Sequence, residues 1–226
     1  MAGVKIKRNV QNSSAAEIAT VARTRFHRFG YAKTSLQEIA ADCGMSVANL
    51  YRYYDGKLAI GAAVAAGEQA QLFQSGDNAV AAAPGDLAVQ LITLFQALID
   101  CTLRQIRVHP LLFELGMIVA REQPEHRQRV LRETETRIAA ILATNGKKSG
   151  ITAREVKATS RLILMASAPF VLPWMLRTQP FGNPRAQVEP LMKCLVAGFT
   201  KSGVNGGSRL GSARIARPGV PRTRLP

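Results

Sequence analysis

Apolar residues recur at steps of three and four along most of this chain, which is the spacing of one face of an α-helix. The first such stripe begins near Ser14 and is closed by Gly30. It consists of Ile18, Val21, Ala22, Phe26 and Phe29. Similar stripes follow as far as residue 202, and no strand-like alternation competes with them. The pattern therefore predicts an all-α protein of about nine helices.

Two short helices are predicted directly after the first one. Ser35 and Glu38 form the pattern of a capping box, in which each side chain accepts a hydrogen bond from the other residue's backbone N–H. Gly44 breaks the chain after this helix, and Ser46 is a residue type that caps the start of the next one. The turn signal Asp55-Gly56 then marks the end of the second short helix.

The rest of the chain is predicted to form longer helices, divided by glycine and proline. The segment 75–86, SGDNAVAAAPGD, is predicted to join two parts of the chain. Beyond it the predicted helices are 87–107, 111–121, 124–145, 152–172 and 184–202, with Pro169 and Pro173 expected to kink or end the fourth. We therefore expect an arm over 1–12, a small helical domain over 13–60, a larger one over 61–204, and a tail over 205–226.

The charge is strongly positive and unevenly distributed. Thirty Lys and Arg residues oppose fifteen Asp and Glu residues, which gives a formal net charge of +15. Such a balance favours an anionic partner, either nucleic acid or a membrane surface, without selecting one. Eight of the net charges lie in residues 1–12 and 205–226, which hold no acidic residue and are predicted to be disordered. Part of the basicity therefore belongs to the ends rather than to a folded surface.

The remaining composition argues against several classes of protein. Cys43, Cys101 and Cys194 lie far apart without a C-x-x-C pair, so we expect neither a disulfide framework nor a metal site. The N-terminus lacks the apolar run of a signal peptide, and the apolar stretch 162–176 is too short and proline-rich to predict a membrane span. Motifs of metalloproteases, P-loop enzymes, serine hydrolases and dinucleotide enzymes are missing from the sequence. We therefore expect a cytoplasmic protein that is not an enzyme and needs no cofactor.

The two short helices meet at a glycine-containing turn, which is the layout of a helix-turn-helix. Leu36, Ile39 and Ala40 are expected to face inward from the first helix, and Val47 and Leu50 to pack against them. In this arrangement the second helix lies in the major groove of DNA. The segment therefore predicts a DNA-binding element.

The second short helix carries residue types that suit DNA. The residues expected on or near its outer face are Ala48, Asn49, Tyr51 and Arg52. Asn pairs with adenine and Arg with guanine through two hydrogen bonds each. Hydroxyls, lysines and backbone N–H groups at helix starts suit phosphate oxygens. The alternative for the tyrosines of this segment is burial in the core.

Residues 14–60 resemble the N-terminal domain of the TetR/AcrR family of transcriptional regulators. The resemblance runs through FHRFGYAKTSLQEIA and then ADCGMSVANLYRYYDGK. The sequence departs from the usual pattern at Tyr54, a position implied to be core where Phe is usual, and at Asp55-Gly56, where Pro-Ser is usual. Neither change removes a donor from the DNA face. After residue 75 the resemblance is one of architecture only.

The resemblance implies a role for each residue of the motif. Thr34 and Ser35 would meet phosphate, and Tyr51, Tyr53 and Lys57 would hold the DNA backbone. The residues that would face the groove are Ser46, Val47, Ala48, Asn49 and Arg52. The family resembled usually acts by repression, so we expect a homodimer that binds a palindromic double-stranded operator and is released by a small-molecule effector.

The larger domain is implied to provide a dimer interface and a ligand pocket. The last two long helices would pair with a second subunit through the apolar residues Val188, Leu191, Leu195, Val196 and Phe199, the alternative being packing within one chain. Candidate pocket residues are Phe95, His109, Phe113, Glu114, Met117, Met165, Ser167, Phe170 and Trp174. Methionine and aromatic residues on helices are core more often than pocket, so burial in the core is the alternative for most of them.

One further function competes with sequence-specific regulation. The basic ends could make the protein a non-specific nucleic-acid or membrane-surface binder. Such a binder would show equal affinity for all DNA sequences, whereas a regulator prefers one sequence at both low and high salt.

Overall fold

The structure is a computed structural model that describes residues 15–176 and 182–201. Within these ranges the chain forms helices and no strand, which confirms the all-α prediction. The helices are α1 (Ala15–Phe29), α2 (Leu36–Asp42), α3 (Val47–Leu50), α4 (Lys57–Ala82), α5 (Leu87–Val108), α6 (Pro110–Glu122), α7 (Pro124–Ser149), α8 (Ala153–Val171), α9 (Pro173–Leu176) and α10 (Pro184–Lys201).

Local sequence signals fix several helix ends. Ser35 and Thr152 each start a helix with a complete capping box. The Asp86 carboxylate caps α5 by accepting a backbone hydrogen bond at 3.0 Å. Pro110 and Pro124 stand in the first turns of α6 and α7, where the missing N–H of proline leaves no hydrogen bond unmade.

One predicted helix limit was wrong. Residues 75–82, predicted to belong to a joint, are the last turns of α4, and only residues 83–86 separate α4 from α5. Gly76 is not a breaker there: a Cβ at this position would lie 3.1 Å from the side chains of both Leu94 and Leu98, so glycine allows α5 to pack closely. The helix α8 includes Pro169 and ends at Val171, just before Pro173, as predicted. The short α9, which begins at Pro173 and was not predicted, brings the described helices to ten.

The N-terminal core lies between α1, α2, α3 and the first half of α4. Its fully buried side chains include Ile18, Phe26, Ile39, Leu50 and Ile60. Three buried residues from a distant part of the sequence complete it, and all belong to α6: Leu112, Leu115 and Val119. The N-terminal unit, which we define as α1 to α3, is therefore packed against α6 as well as α4.

The second core lies in the body, defined as α4 to α10. Buried side chains of the second half of α4 and of α5, α7, α8 and α10 meet there, with Phe73 and Phe95 at its centre. The predicted domain boundary at residue 60 falls inside α4, which runs without a break between the two cores. The predicted arm, 1–12, and the predicted tail, 205–226, lie outside the described residues.

Among the described residues, α5 is the one helix long and apolar enough to cross a membrane. Its buried side chains, which include Leu91, Phe95 and Leu98, lie in the second core. Its Asp100 carboxylate pairs with the guanidinium of Arg185 in α10 at 2.6 Å. These contacts account for the apolar character of α5 as that of a central core helix.

Candidate nucleic-acid interface

The turn between α2 and α3 is formed by backbone conformation and two caps. Gly44 adopts φ +67°, a left-handed conformation that glycine accepts without strain. Ser35 caps α2 by accepting from the Glu38 N–H at 3.3 Å, and the Glu38 carboxylate accepts from the Ser35 N–H at 2.8 Å. At α3 the Ser46 hydroxyl accepts from the Asn49 N–H at 3.1 Å. Both caps predicted from the sequence are present.

Leu50 holds α3 against the rest of the N-terminal unit. Its side chain is fully buried among residues of α1, α2 and α4, and Val47 packs against the same core while half-buried. Ile39 and Ala40 are buried and Leu36 is partly buried, as predicted for the inner side of α2. Because α3 is so short, this buried anchor fixes which of its side chains face outward.

The recognition face, defined as residues 46–53 apart from Leu50, is open to solvent at most of its positions. Ser46, Ala48 and Arg52 are exposed, and Asn49 is partly exposed with its amide 3.9 Å from the Met45 sulfur. Tyr51 and Tyr53 remain 52% and 41% exposed, so the alternative that they are core residues is wrong. Exposed tyrosines beside an Arg and an Asn are available to a polar partner.

Tyr54 behaves differently from its two neighbours, as predicted. It packs against the N-terminal core, and its hydroxyl donates a hydrogen bond to the Ala15 carbonyl at 2.8 Å. Burial raises the pKa of its phenol. The contact ties the residue after α3 to the start of α1.

Lys57 and Thr34 hold the loop between α1 and α2. The Lys57 ammonium donates to the Tyr31 carbonyl at 3.0 Å and the Thr34 carbonyl at 2.9 Å, and it lies 4.4 Å from the centre of the Tyr31 ring. The Thr34 side chain is 2% exposed, and its hydroxyl donates to the Gly30 carbonyl at 2.8 Å. The Thr34 hydroxyl therefore faces inward, whereas Lys57 keeps one of its three N–H donors for another partner.

An open groove runs beside α2 and α3. It is lined by side chains that the sequence predicted for DNA, namely Ser35, Val47, Tyr51 and Lys57, and also by the exposed residues Lys33 and Gln37. Lys33 and Gln37 were missed at the sequence level. Their position beside the capping box could have indicated them, because side chains at the start of α2 lie next to the recognition face.

Ion pairs fix α2 relative to α1. The Arg25 guanidinium pairs with Asp42 at 2.5 Å and with Glu38 at 2.9 Å. The hydrogen bond from Arg25 holds the pKa of Asp42 below its ordinary value. The pKa of Glu38 is lowered chiefly by the backbone and side-chain hydrogen bonds of Ser35, with a smaller contribution from Arg25. These charges are therefore kept ionised at neutral pH.

The body holds two neighbouring cavities. The inner cavity, of about 40 Å³, is lined by residues that include three predicted for a ligand: Phe113, Met117 and Trp174. The outer cavity, of about 140 Å³, includes His109 in its lining. Glu68, Leu72 and Gln105 line both cavities and so form the wall between them.

Other residues predicted for the pocket lie elsewhere, and neither of these two cavities includes them. Phe95 is fully buried in the second core, against which Phe170 packs. Met165 is 67% exposed on α8 and Glu114 is exposed on α6. Ser167 is buried, and its hydroxyl donates to the Ile163 carbonyl at 2.7 Å. The period of a helix shows which residues share a face but not which part of the molecule that face contacts. The sequence therefore could not distinguish these five positions from residues that do line the cavities.

The N-terminal unit and the body are joined by polar contacts that the sequence did not reveal. The Arg23 guanidinium of α1 pairs with the Glu68 carboxylate of α4 at 2.5 Å. His27 of α1 and His109, between α5 and α6, place ring nitrogens 2.9 Å apart. Each pair spans dozens of residues in sequence, and no local pattern indicates such a pairing.

Comparison with known proteins covers both parts of the chain. Residues 18–64 match the family model described as "Bacterial regulatory proteins, tetR family". Residues 88–191 match the model described as "Tetracyclin repressor-like, C-terminal domain". A search of curated proteins found no match.

Several solved structures share the fold at low sequence identity. Thermus thermophilus FadR, a TetR family transcriptional repressor solved with lauroyl-CoA, is 20% identical with a TM-score of 0.59, and the match covers 82% of this chain and 94% of FadR. SmeT, the repressor of the Stenotrophomonas maltophilia multidrug efflux pump SmeDEF, is 18% identical with a TM-score of 0.54, and the match covers 87% of this chain and 95% of SmeT. Bacillus subtilis FadR, solved with stearoyl-CoA, is 17% identical with a TM-score of 0.53, and the match covers 82% of this chain and 99% of that FadR.

The family models match the helix-turn-helix and most of the body, and the solved structures share the arrangement of both along nearly their whole length. Members of this family are regulators rather than enzymes. The chain belongs to the tetR family of bacterial regulatory proteins and is a DNA-binding transcriptional regulator.

Proposed function

We propose that this protein is a homodimeric repressor that binds a palindromic operator and leaves it when a small molecule enters the body. The observation that carries the proposal is the exposed recognition face of α3, which Leu50 and the Ser46 cap hold in a fixed orientation. A short helix presented in this way enters the major groove with its side chains toward the base edges.

The exposed residues of α3 divide into two kinds of contact. Asn49 and Arg52 read base edges, since their side chains pair with adenine and guanine. Ser46, Val47 and Ala48 lie at the start of the helix and face the groove beside them. These five residues specify sequence.

A second set of residues holds the DNA backbone. Ser35, Tyr51 and Tyr53 offer hydroxyl groups to phosphate, and Lys57 offers its remaining N–H donor. Thr34 acts differently, because its hydroxyl is turned to the Gly30 carbonyl. We assign Thr34 to shaping the loop before α2 and leave the phosphate contact at that end to Ser35.

The dimer is proposed to form through α8 and α10. Leu162 and Met165 of α8 are 53% and 67% exposed, which is unusual for large apolar side chains in a folded chain. On α10, Leu191, Leu195 and Phe199 are only partly buried against the second core. A two-fold interface that covers these side chains would place two recognition faces on one side of the molecule.

Response to a ligand is proposed for the two cavities of the body. Thermus thermophilus FadR, which shares this fold, was solved with lauroyl-CoA bound. In the present chain the inner cavity combines apolar and aromatic walls with a small number of polar groups, which is the usual composition of a small-molecule site. A protein that acts on operator DNA in this way works in the bacterial cytoplasm.

The test is selection of bound duplexes from a random DNA pool, followed by titration of the selected site and of random DNA at two salt concentrations. We expect a site with two-fold symmetry, whose half-sites are centred about one helical turn or a multiple of it apart. Equal affinity for selected and random DNA would support a non-specific binder instead. A monomer in light scattering, with and without the selected DNA, would contradict the proposed dimer.

A further inference from the structure

Glu68 is a carboxylate in an unusual position for a regulator of net charge +15. Its side chain is only 11% exposed, and it lines both cavities of the body. Among the described residues that line the inner cavity, it is the only Asp, Glu, Lys or Arg, and the other polar side chains there are Gln69, Gln105 and His126. Where Arg23 no longer pairs with it, this carboxylate would present an opposite charge to a positively charged ligand group and a like charge to a ligand carboxylate.

The partners of Glu68 come from two different parts of the molecule. One carboxylate oxygen accepts from the Arg23 guanidinium of α1, and the other accepts from the Gln105 amide of α5 at 2.9 Å. The first contact joins the body to the N-terminal unit, which carries the recognition face. The wall of the cavity is thus directly connected to the helix that packs against α2 and α4.

The two members of the ion pair differ in how easily they can separate. A carboxylate that is 11% exposed needs a cationic partner, because an unpaired charge away from water is costly. The Arg23 side chain is 38% exposed and can turn to solvent. A cationic ligand can therefore replace Arg23 as the partner of Glu68 while the Arg23 guanidinium becomes hydrated. An uncharged ligand cannot do so, because it brings no positive charge to the buried carboxylate.

The remaining walls of the inner cavity suit the rest of such a ligand. Trp174 and Phe113 provide aromatic surface, and Leu72, Leu112 and Met117 provide aliphatic surface. Aromatic faces also attract cations. His126 adds no competing positive charge at neutral pH, because burial and the nearby Arg129 lower its pKa.

Given the ligand response proposed above, we propose that the effector is a lipophilic organic cation, such as a hydrophobic amine, which binds at the wall shared by the two cavities and competes with Arg23 for the Glu68 carboxylate. Release of Arg23 removes the ion pair between α1 and the middle of α4, and so changes how firmly α1 is held where it supports α2 and α3. DNA binding and cation binding are then coupled through one carboxylate, and each must weaken the other to the same extent.

The test uses the full-length protein and three probes with the same phenylbutyl body: 4-phenylbutylamine, 4-phenylbutanol and 4-phenylbutanoate. Trp174 is the only tryptophan of the chain and lines the cavity, so its fluorescence reports binding directly. We expect the amine to bind at least about tenfold more tightly than the alcohol, and the carboxylate to bind most weakly. Equal affinities for the three probes, or a preference for the carboxylate, would overturn the proposal.

Two variants separate the proposed competition from simple cavity binding. Glu68→Gln keeps the size of the side chain and should bring the amine to about the affinity of the alcohol. Arg23→Gln removes the competitor and should tighten amine binding several-fold, about threefold or more, while leaving the alcohol unchanged. Arg25→Gln is the matched control, since Arg25 lies on the same helix but pairs with Glu38 and Asp42. Unchanged amine affinity in both Glu68→Gln and Arg23→Gln would overturn the competition, provided that circular dichroism shows folded variants.

Titration of the selected operator then distinguishes this inference from the proposed function. We expect 4-phenylbutylamine to weaken operator binding by the wild type and to have little effect on the Glu68→Gln variant. If the protein binds its operator specifically but the amine neither binds nor releases it, the cation proposal fails and the regulator stands. If the amine binds as expected but no DNA sequence is preferred, the cation site stands and the proposed function fails.

Discussion

The N-terminal unit and the body differ in how their working parts are connected. In the N-terminal unit the recognition face depends on residues close in sequence: Ser46 caps α3, Leu50 anchors it, and Gly44 turns the chain between α2 and α3. In the body the cavity wall depends on residues such as Glu68 and Gln105, which meet only after α4 and α5 have packed. The recognition face can therefore be predicted from a short stretch of sequence, whereas the cavity wall cannot.

The two regions are nevertheless joined by a continuous α4 and by the α6 side chains in the N-terminal core. The largest effect that we expect is therefore a loss of stability of the whole protein when a core residue of either region is replaced. Phe26 and Phe95 are both fully buried, one in each core. Phe26→Ala and Phe95→Ala should each lower the free energy of unfolding by about 3–5 kcal/mol. Urea unfolding followed by far-UV circular dichroism and by Trp174 fluorescence measures both.

The probe in the body decides whether the regions unfold together. Trp174 lies far from Phe26 in the sequence and packs against the second core. If the chain is one cooperative unit, Phe26→Ala shifts the fluorescence transition as much as the dichroism transition. An early dichroism step with an unshifted Trp174 transition would show that the regions unfold separately.

Base recognition is the property we expect to reside in α3 alone. Asn49→Ala or Arg52→Ala should cost about 1–3 kcal/mol of binding free energy on the selected operator and relax the preference at one position per half-site. The same substitutions should leave the midpoint of urea unfolding nearly unchanged, because neither side chain is buried. Titration of the operator and of single-base variants of it measures the effect. A variant that kept the wild-type preference at every position would remove that residue from the base-reading set.

Lys57 should affect both folding and DNA binding, because it lies where the N-terminal unit meets α4. Lys57→Met removes the hydrogen bonds to the Tyr31 and Thr34 carbonyls and should lower the free energy of unfolding by about 1–2 kcal/mol. It should also weaken binding to all DNA sequences alike and reduce the salt dependence by about one unit. A change of base preference in Lys57→Met without one in Asn49→Ala would reverse the roles proposed for these residues.

The smallest effect expected is a pH dependence that arises in the body. Burial, with a smaller effect of Arg129, lowers the pKa of His126 below its ordinary value of 6.5. As the pH falls through that value, the unfolded chain binds a proton at His126 and the folded chain does not. The protein is therefore most stable, as far as this residue is concerned, above the ordinary pKa of histidine, and it loses stability as the pH falls below that value.

The control for the pH effect is His126→Gln, which does not titrate. The difference in unfolding free energy between wild type and variant should shrink or change sign between about pH 7.5 and 5.5, since other titrating groups are common to both proteins. A constant difference across this range would show that His126 is protonated equally in the folded and unfolded chains.

The sequence predicted those features that depend on local chemistry. The capping box at Ser35, the cap at Ser46, and the inward positions of Leu50 and Tyr54 are all present in the structure. Each of these is decided within a few residues, where helix period and backbone hydrogen bonding leave few choices.

Features decided by packing partners could not be predicted in the same way. The glycines of segment 75–86 suggested a joint, but Gly76 lies inside α4, where a Cβ would come within 3.1 Å of the Leu94 and Leu98 side chains of α5. Met165 and Met117 looked equivalent, yet one is on the surface of α8 and the other lines the inner cavity. The sequence around Arg23 and around Glu68 does not indicate that the two residues form an ion pair, since each alone is an ordinary charged position on a helix.

The contribution of α6 to the N-terminal core sets a condition for exchanging DNA-binding units between relatives. A chimera that joins α1 to α3 of one protein to the body of another would place foreign side chains against Leu112, Leu115 and Val119. Ile18, Phe26 and Leu50 would then meet a surface of the wrong shape, and interiors packed as closely as these tolerate little change in volume. To transfer operator specificity from one relative to another, it is therefore necessary to move the helix-turn-helix together with the face of α6 that packs against it.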